Sequence, residues 1–294
     1  MQSIHKINPI VIFLYFVCVI FLGMMITYPL YLAASLALSF VTLLLVAYPK
    51  VRRTLKIYIL AAIGICVINP LINTNGETVL FRYFNNRSYT LESLIYGAAM
   101  AMLFLTVINW FACYNAIITS DKFMYIFGGI IPSTSLLLSM VLHFVPTYQH
   151  KISAIGCARK SIGKGMVANT YKQKAQNGMM LISALISVAL ENSVITANSM
   201  RSRGYGACRR TSFSLYKFTL KDGYLLITEL LLFMLVISSY INSGQPLSFF
   251  AQGLLPQTDI HFITGGIAYV LLMCLPAFII LLEAMKWKIL KFKI

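Results

Sequence analysis

Ser199-Met200-Arg201-Ser202-Arg203-Gly204-Tyr205-Gly206 closes a basic segment, Lys151 to Lys221, set between blocks too apolar for water. Whether the apolar run before this segment and the one within it cross a membrane decides the topology of everything else. Phe123 to Pro146 and Gly178 to Met200 are both apolar enough to raise the question. If both crossed, Lys151, Arg159, Lys160, Lys164, Lys172 and Lys174 would lie outside, against the positive-inside bias of membrane proteins. If neither crosses, all basic residues face the cytoplasm except Arg82 and Arg87. Gly128-Gly129 and Pro132 interrupt the first run, and its continuous part, Ser133 to Val145, is too short to span. In the second, Ser183, Ser187 and Glu191 recur every four residues, a polar stripe on an otherwise apolar helix. Both runs therefore read as interfacial helices, lying at the lipid boundary or against a hydrophobic neighbour.

Working outward, 294 residues that are 59% hydrophobic and 11% charged exceed what one soluble core can hide. The formal charge of +16 is distributed between and after apolar blocks, as topology signals are, which argues against a nucleic-acid partner. Six scattered cysteines (Cys18, Cys66, Cys113, Cys157, Cys208, Cys274) form no C-x-x-C pair and read as buried or free thiols.

The apolar runs predict an all-α polytopic membrane protein with about six transmembrane helices plus cytoplasmic or interfacial coupling helices. The expected spans are Pro9 to Thr27, Leu30 to Tyr48, Ile57 to Ile72, Leu91 to Thr119, Gly223 to Ile241 and Ile263 to Leu282. Tyr28-Pro29 divides the first two, and Pro49 with Lys50, Arg52, Arg53 and Lys56 divides the second and third. Asn73 to Thr90 is a polar connector with a turn signal at Asn75-Gly76, and Val79-Leu80-Phe81 reads as a short strand or a dipping loop. This divides the chain into a four-helix part, 1–118, a coupling domain, 119–222, and a two-helix part with a basic tail, 223–294. The tail carries Lys286, Trp287, Lys288, Lys291 and Lys293, an interface anchor that places both termini in the cytoplasm. Asn109 is expected to make a helix–helix hydrogen bond. Glu229, roughly 9 Å into the fifth span, is as an intramembrane acid a candidate functional residue, though so near the inner end it is expected to reach the interface or pair with a basic neighbour.

No G-x-x-x-x-G-K-[ST] motif, H-E-x-x-H motif or cluster of acids occurs, so neither nucleotide binding through a P-loop nor membrane catalysis is indicated. The basic segment instead supplies cations at helix ends. Gly204 is the expected stop of the helix that carries Arg201 and Arg203, because glycine tolerates the left-handed conformation after a last turn. Cys157-Ala158-Arg159-Lys160 ends another expected helix. Arginine forks at rigid helix tips suit docking into acidic grooves, although the helix dipole alone also favours cations there.

At these residues the chain resembles the transmembrane T component of energy-coupling factor transporters, the cobalt-transport Q-type family. That family carries two short Ala-Arg-Gly-like motifs at coupling-helix tips. The second is matched by Met200-Arg201-Ser202-Arg203-Gly204-Tyr205-Gly206, followed by Arg210-Thr211 and Asp222. The first is approached by His143-Phe144-Val145-Pro146, Ala154 and Ala158-Arg159-Lys160. Further agreement runs through Asn69-Pro70-Leu71, Gly76, Val79-Leu80-Phe81, Thr90, Glu92 and Tyr96-Gly97. Lys160 stands where a small residue is usual, and Ser202 where alanine is.

The resemblance implies a non-catalytic subunit of a prokaryotic plasma-membrane transporter. It would join two cytoplasmic ATPases to a membrane-embedded substrate-binding S component for a vitamin or metal ion. Ala158, Arg159, Lys160, Ser202, Arg203 and Gly204 would dock the ATPases, supported by Pro146, Glu191, Arg201, Tyr205, Gly206, Arg210 and Thr211. The chain itself would hold no cofactor, since ATP and magnesium would be bound by the partners. The alternative from the residues alone is a self-contained secondary transporter or channel, which would need a midplane site in broken helices and internal repeats.

Overall fold

A computed structural model describes residues 7–72, 78–83, 87–128, 131–163, 171–207, 216–242 and 260–292. They form eight helical stretches and one hairpin: α1 (Pro9–Met25), α2 (Pro29–Ile72), β1 (Val79–Tyr83), β2 (Arg87–Thr90), α3 (Leu91–Ile117), α4 (Ser120–Gly128), α5 (Pro132–Ser161), α6 (Tyr171–Ser202), α7 (Leu220–Asn242) and α8 (Ile260–Phe292). Among the described residues five segments are long and apolar enough to cross a membrane: Pro29–Val46, Leu91–Ile117, Tyr171–Ser202, Leu220–Asn242 and Ile260–Lys286; the third contains the run Gly178 to Met200, for which the sequence suggests an interfacial helix. Pro9–Met25 and Tyr58–Ile72 are shorter apolar helices. The chain has the architecture of an all-α polytopic membrane protein.

It divides into two compact units, one of Met1–Phe123 with Tyr216–Ile294, the other of Met124–Leu215. In the first, a layer of polar side chains is buried within an apolar core while many large apolar side chains lie outside. Ser35, Ser39, Thr42, Thr106 and Asn109 are buried, while Met24, Leu30, Leu60, Ile63, Ile72 and Phe278 are exposed. A hydrocarbon surrounding imposes this arrangement, because apolar side chains gain nothing by leaving lipid whereas polar ones must find partners inside. The hydroxyls of Ser35, Ser39, Thr42 and Thr106 each donate to a carbonyl three or four residues back. Asn109 donates to the Ser39 hydroxyl at 3.3 Å, the helix–helix hydrogen bond its sequence position predicts. Around this layer pack Phe16, Val19, Trp110, Tyr269, Leu272 and Met273. The Trp110 ring meets Tyr15 and Phe16 edge-on at 6.2 and 6.3 Å between centroids.

Contacts fix the direction of each helix. Phe13 meets Tyr114 and Phe16 meets Trp110, so α1 and α3 are antiparallel. Ser39 meets Asn109 and Thr42 meets Cys113, so the first arm of α2 runs parallel to α3. A straight α2 would then carry Cys66 far beyond the end of α3. Yet Gly97, near the start of α3, lies against Cys66, Asn69 and Pro70. The helical stretch Pro29–Ile72 therefore doubles back between Thr42 and Cys66, leaving two arms where the sequence places two spans.

The connector folds as an antiparallel hairpin, with Phe81 opposite Tyr89 and Arg82 opposite Ser88. The Asn75-Gly76 turn expected nearby lies outside the described residues. Glu92, in the first turn of α3, accepts from the Thr78 backbone N–H (3.2 Å) and hydroxyl (2.7 Å), tying hairpin to helix. Beyond α3, the Lys122 ammonium donates to the Ile117 carbonyl at 3.2 Å, placing a cation at the negative end of that helix. Burial lowers the pKa of this ammonium from its ordinary value.

Candidate functional site

The second unit holds the sequence-predicted tips. Its helices α5 and α6 meet where Gly156 faces Leu181 and the Arg159 guanidinium lies 3.5 Å from the Met180 sulfur. The helix α5 begins at Pro132, after the Gly128 end of α4, because proline at a first helical position gives up no hydrogen bond. It continues past the apolar run Ser133 to Val145 and through Pro146 to Ser161. An exposed proline removes one intrahelical N–H there, and the Thr147 hydroxyl bonds the nearby His143 carbonyl at 3.2 Å. Pro146 thus lies inside the arm that carries the first tip.

That tip consists of exposed Ala158 and Lys160 with half-buried Arg159. The helix then closes on Gly163, whose φ of 73° is left-handed and whose N–H bonds the Lys160 carbonyl at 3.0 Å. The second tip is built more completely. Gly204 has φ 78°, its N–H reaches the Arg201 carbonyl at 3.0 Å, and the Tyr205 N–H reaches the Met200 carbonyl at 3.1 Å. This pair of bonds is a Schellman cap, which satisfies two orphan carbonyls and holds Arg203 at the helix end. Gly206 is left-handed as well, at φ 91°. Ser202 donates to the Asn198 carbonyl at 2.9 Å, so its hydroxyl is spent on the helix. Ile195, Asn198, Ser199, Ser202 and Arg203 outline a shallow depression.

The two tips are not brought together. Arg159 lies beside Met180, and the α6 axis from there to Ser202 is about 33 Å long at 1.5 Å per residue. Arg201, Ser202, Arg203, Gly204, Tyr205 and Gly206 are all exposed, and among the described residues neither Arg159 nor Arg203 has a carboxylate partner. Along α6, Met179, Ile182, Ile186, Leu190 and Val194 form an exposed apolar stripe at helical spacing. Glu191 is exposed beside it, in line with Ser183 and Ser187. Arg210 and Thr211 lie outside the described residues.

Two acids in the first unit carry more than the sequence suggests. Asp222 is 3% exposed and accepts from the Thr219 N–H (2.9 Å), the Thr219 hydroxyl (2.8 Å) and the Asn8 N–H (3.3 Å). It completes a capping box on α7 and at the same time holds the start of α1, two positive helix ends on one carboxylate. The signal was available as Thr219-x-x-Asp222, whereas the long-range link to Asn8 was not. Glu229 departs from expectation. It is 2% exposed, reaches no interface, and its Oε1 has no hydrogen-bond partner among the described residues. It lines a cavity of about 60 Å³ between α1, α7 and α8, because its helix face turns inward with that of Asp222 two turns earlier.

No protein-family model matches the chain, and no curated protein matches it.

Proposed function

We propose that the chain is a non-catalytic membrane coupling subunit, which presents docking tips to cytoplasmic partners and an apolar face to a membrane one. More particularly, it is the T component of an energy-coupling factor transporter. The observation that carries the reading is the α5–α6 pair: contacting helices whose arginine-bearing ends lie about 33 Å apart along α6. Such a spacing suits two separate subunits rather than one pocket.

In this account Arg159 and Arg203 enter acidic grooves of two ABC-type ATPases, with Ala158, Lys160, Ser202 and Gly204 around them. Schellman closure at Gly204 fixes the backbone that carries Arg203, which lowers the backbone entropy lost on docking. The stripe from Met179 to Val194 meets the S component that captures a vitamin or metal ion. The reading takes α6 as interfacial rather than spanning, and with six spans and a cytoplasmic basic segment it would put both termini on the cytoplasmic side of a prokaryotic cell membrane. ATP and magnesium belong to the ATPases, and no step of hydrolysis falls to this chain. Coupling then requires that the tips bind the open and closed ATPase pairs with different free energies, because equal affinity transmits nothing.

Transport assays test the docking assignment. With both ATPases and the S component co-expressed, Arg159→Ala, Arg203→Ala should abolish most ATP-dependent uptake while leaving the subunit in the membrane. Unchanged uptake in that double variant would defeat it.

A further inference from the structure

Glu229 and its cavity play no part in coupling through the tips. The cavity is walled by Ile7, Val11, Phe16, Leu225 and Ile279 among others, and Glu229 is its acidic residue. A buried carboxylate with an unpartnered oxygen is costly in apolar surroundings, so such a position calls for a bound donor. Among the described residues none supplies one. The Tyr15 hydroxyl, also on the wall, donates instead to the Leu272 carbonyl at 3.1 Å. That carbonyl is the one that Pro276, lacking an N–H four residues later, leaves without its helical partner. Lys122, near the end of α3, directs its ammonium at Ile117.

The chemistry of the walls narrows the occupant. One acid among apolar side chains offers a metal ion no oxygen shell, and no group of three or more potential metal ligands occurs among the described residues. An anion would be repelled. The volume is well below that of a cavity of about 150 Å³ that holds benzene, which leaves room for a head of a few heavy atoms. We propose that this cavity binds a primary ammonium group on a short apolar stem, the ammonium donating to Glu229 and the methylenes packing on Val11, Leu225 and Ile279. Asp222, on the same face of α7, adds negative potential at the approach. Two sources share this chemistry: the headgroup of an aminophospholipid and a free alkylamine.

The test uses the full chain in nanodiscs and follows thermal unfolding. Ethylammonium chloride is added to the protein in phosphatidylcholine, and separately phosphatidylethanolamine replaces phosphatidylcholine with no amine present. Stabilisation by ethylammonium alone identifies a free-amine site, and stabilisation by phosphatidylethanolamine identifies a lipid site. In either case Glu229→Gln should weaken the apparent affinity about 30-fold or more. Tetramethylammonium, which has no N–H, should not compete. Should Glu229→Gln fail to fold, Leu225→Phe, which fills the cavity and keeps the acid, must also abolish the effect. No stabilisation by either source, or equal stabilisation of wild type and both variants, overturns the proposal.

Discussion

Replacing Asp222 with alanine removes the junction between α1 and α7, and its cost can be worked from the three bonds. The Asn8 N–H is donated from a residue only 2% exposed, so its loss leaves a buried donor unpaired, at about 1–3 kcal/mol. Thr219 is exposed, and water can replace its partner; losing that half of the capping box costs about 1 kcal/mol. Together these give about 2–4 kcal/mol, most of it from the long-range bond. Asp222→Asn keeps one acceptor oxygen and should lose about half as much. The measurement is unfolding of the purified chain in mixed micelles with increasing dodecyl sulfate, followed by circular dichroism. Asn8→Ala, which deletes only the side-chain cap on the Ile10 N–H, should cost about 1 kcal/mol and serves as the scale. If Asp222→Ala costs no more than Asn8→Ala, the carboxylate is not what joins the two helix ends.

Other expectations follow from the same packing. A Cβ at Gly266 would fall within 3.0 Å of the Tyr31 ring, so Gly266→Ala should destabilise by about 1–3 kcal/mol, and Tyr31→Ala should relieve the clash in a double-variant unfolding cycle. Tyr15→Phe should cost about 1 kcal/mol by orphaning the Leu272 carbonyl, and less in a Pro276→Ala background, where a backbone N–H can return to it; a cycle with equal costs would contradict this. The lowered pKa of Lys122 means that its charged form is disfavoured in the fold. Stability should therefore rise as pH climbs through the folded value toward 10.5, and an unfolding series should show a smaller rise in Lys122→Met. Cys157 is exposed, whereas Cys18 and Cys113 are buried; in intact cells Cys157 should resist a membrane-impermeant thiol reagent and react after lysis. Labelling of Cys157 in intact cells would place the basic segment outside and remove the topology on which coupling depends.

The helical membrane architecture was legible because apolar runs of bilayer length carry their own boundary signals. Tyr28-Pro29 and Pro132 fall at helix starts, and Gly204 adopts the left-handed cap its neighbours demand. Less legible was anything that depends on a distant partner. Pro146 lies inside the continuous α5, which nothing in the local sequence announces. Asp222 shows a capping spacing in sequence, while its bond to Asn8 bridges 214 positions. Glu229 reads as an acid near an interface because its depth can be counted along one helix. Only the packing of α1 and α8 against α7 reveals that it faces a cavity. The arginine tips were legible as residues, and their separation became measurable only once Arg159 was seen to lie against Met180.

The coupling account is tested most directly by affinity purification of the tagged chain from membranes in mild detergent, beside an Arg159→Glu, Arg203→Glu variant shown to be folded by size exclusion. The account predicts that two P-loop ATPases and a small apolar membrane protein accompany the wild type, and that the variant loses the ATPases while keeping the membrane protein. Absence of any ATPase from the wild-type complex, or equal recovery with the charge-reversed tips, would contradict it.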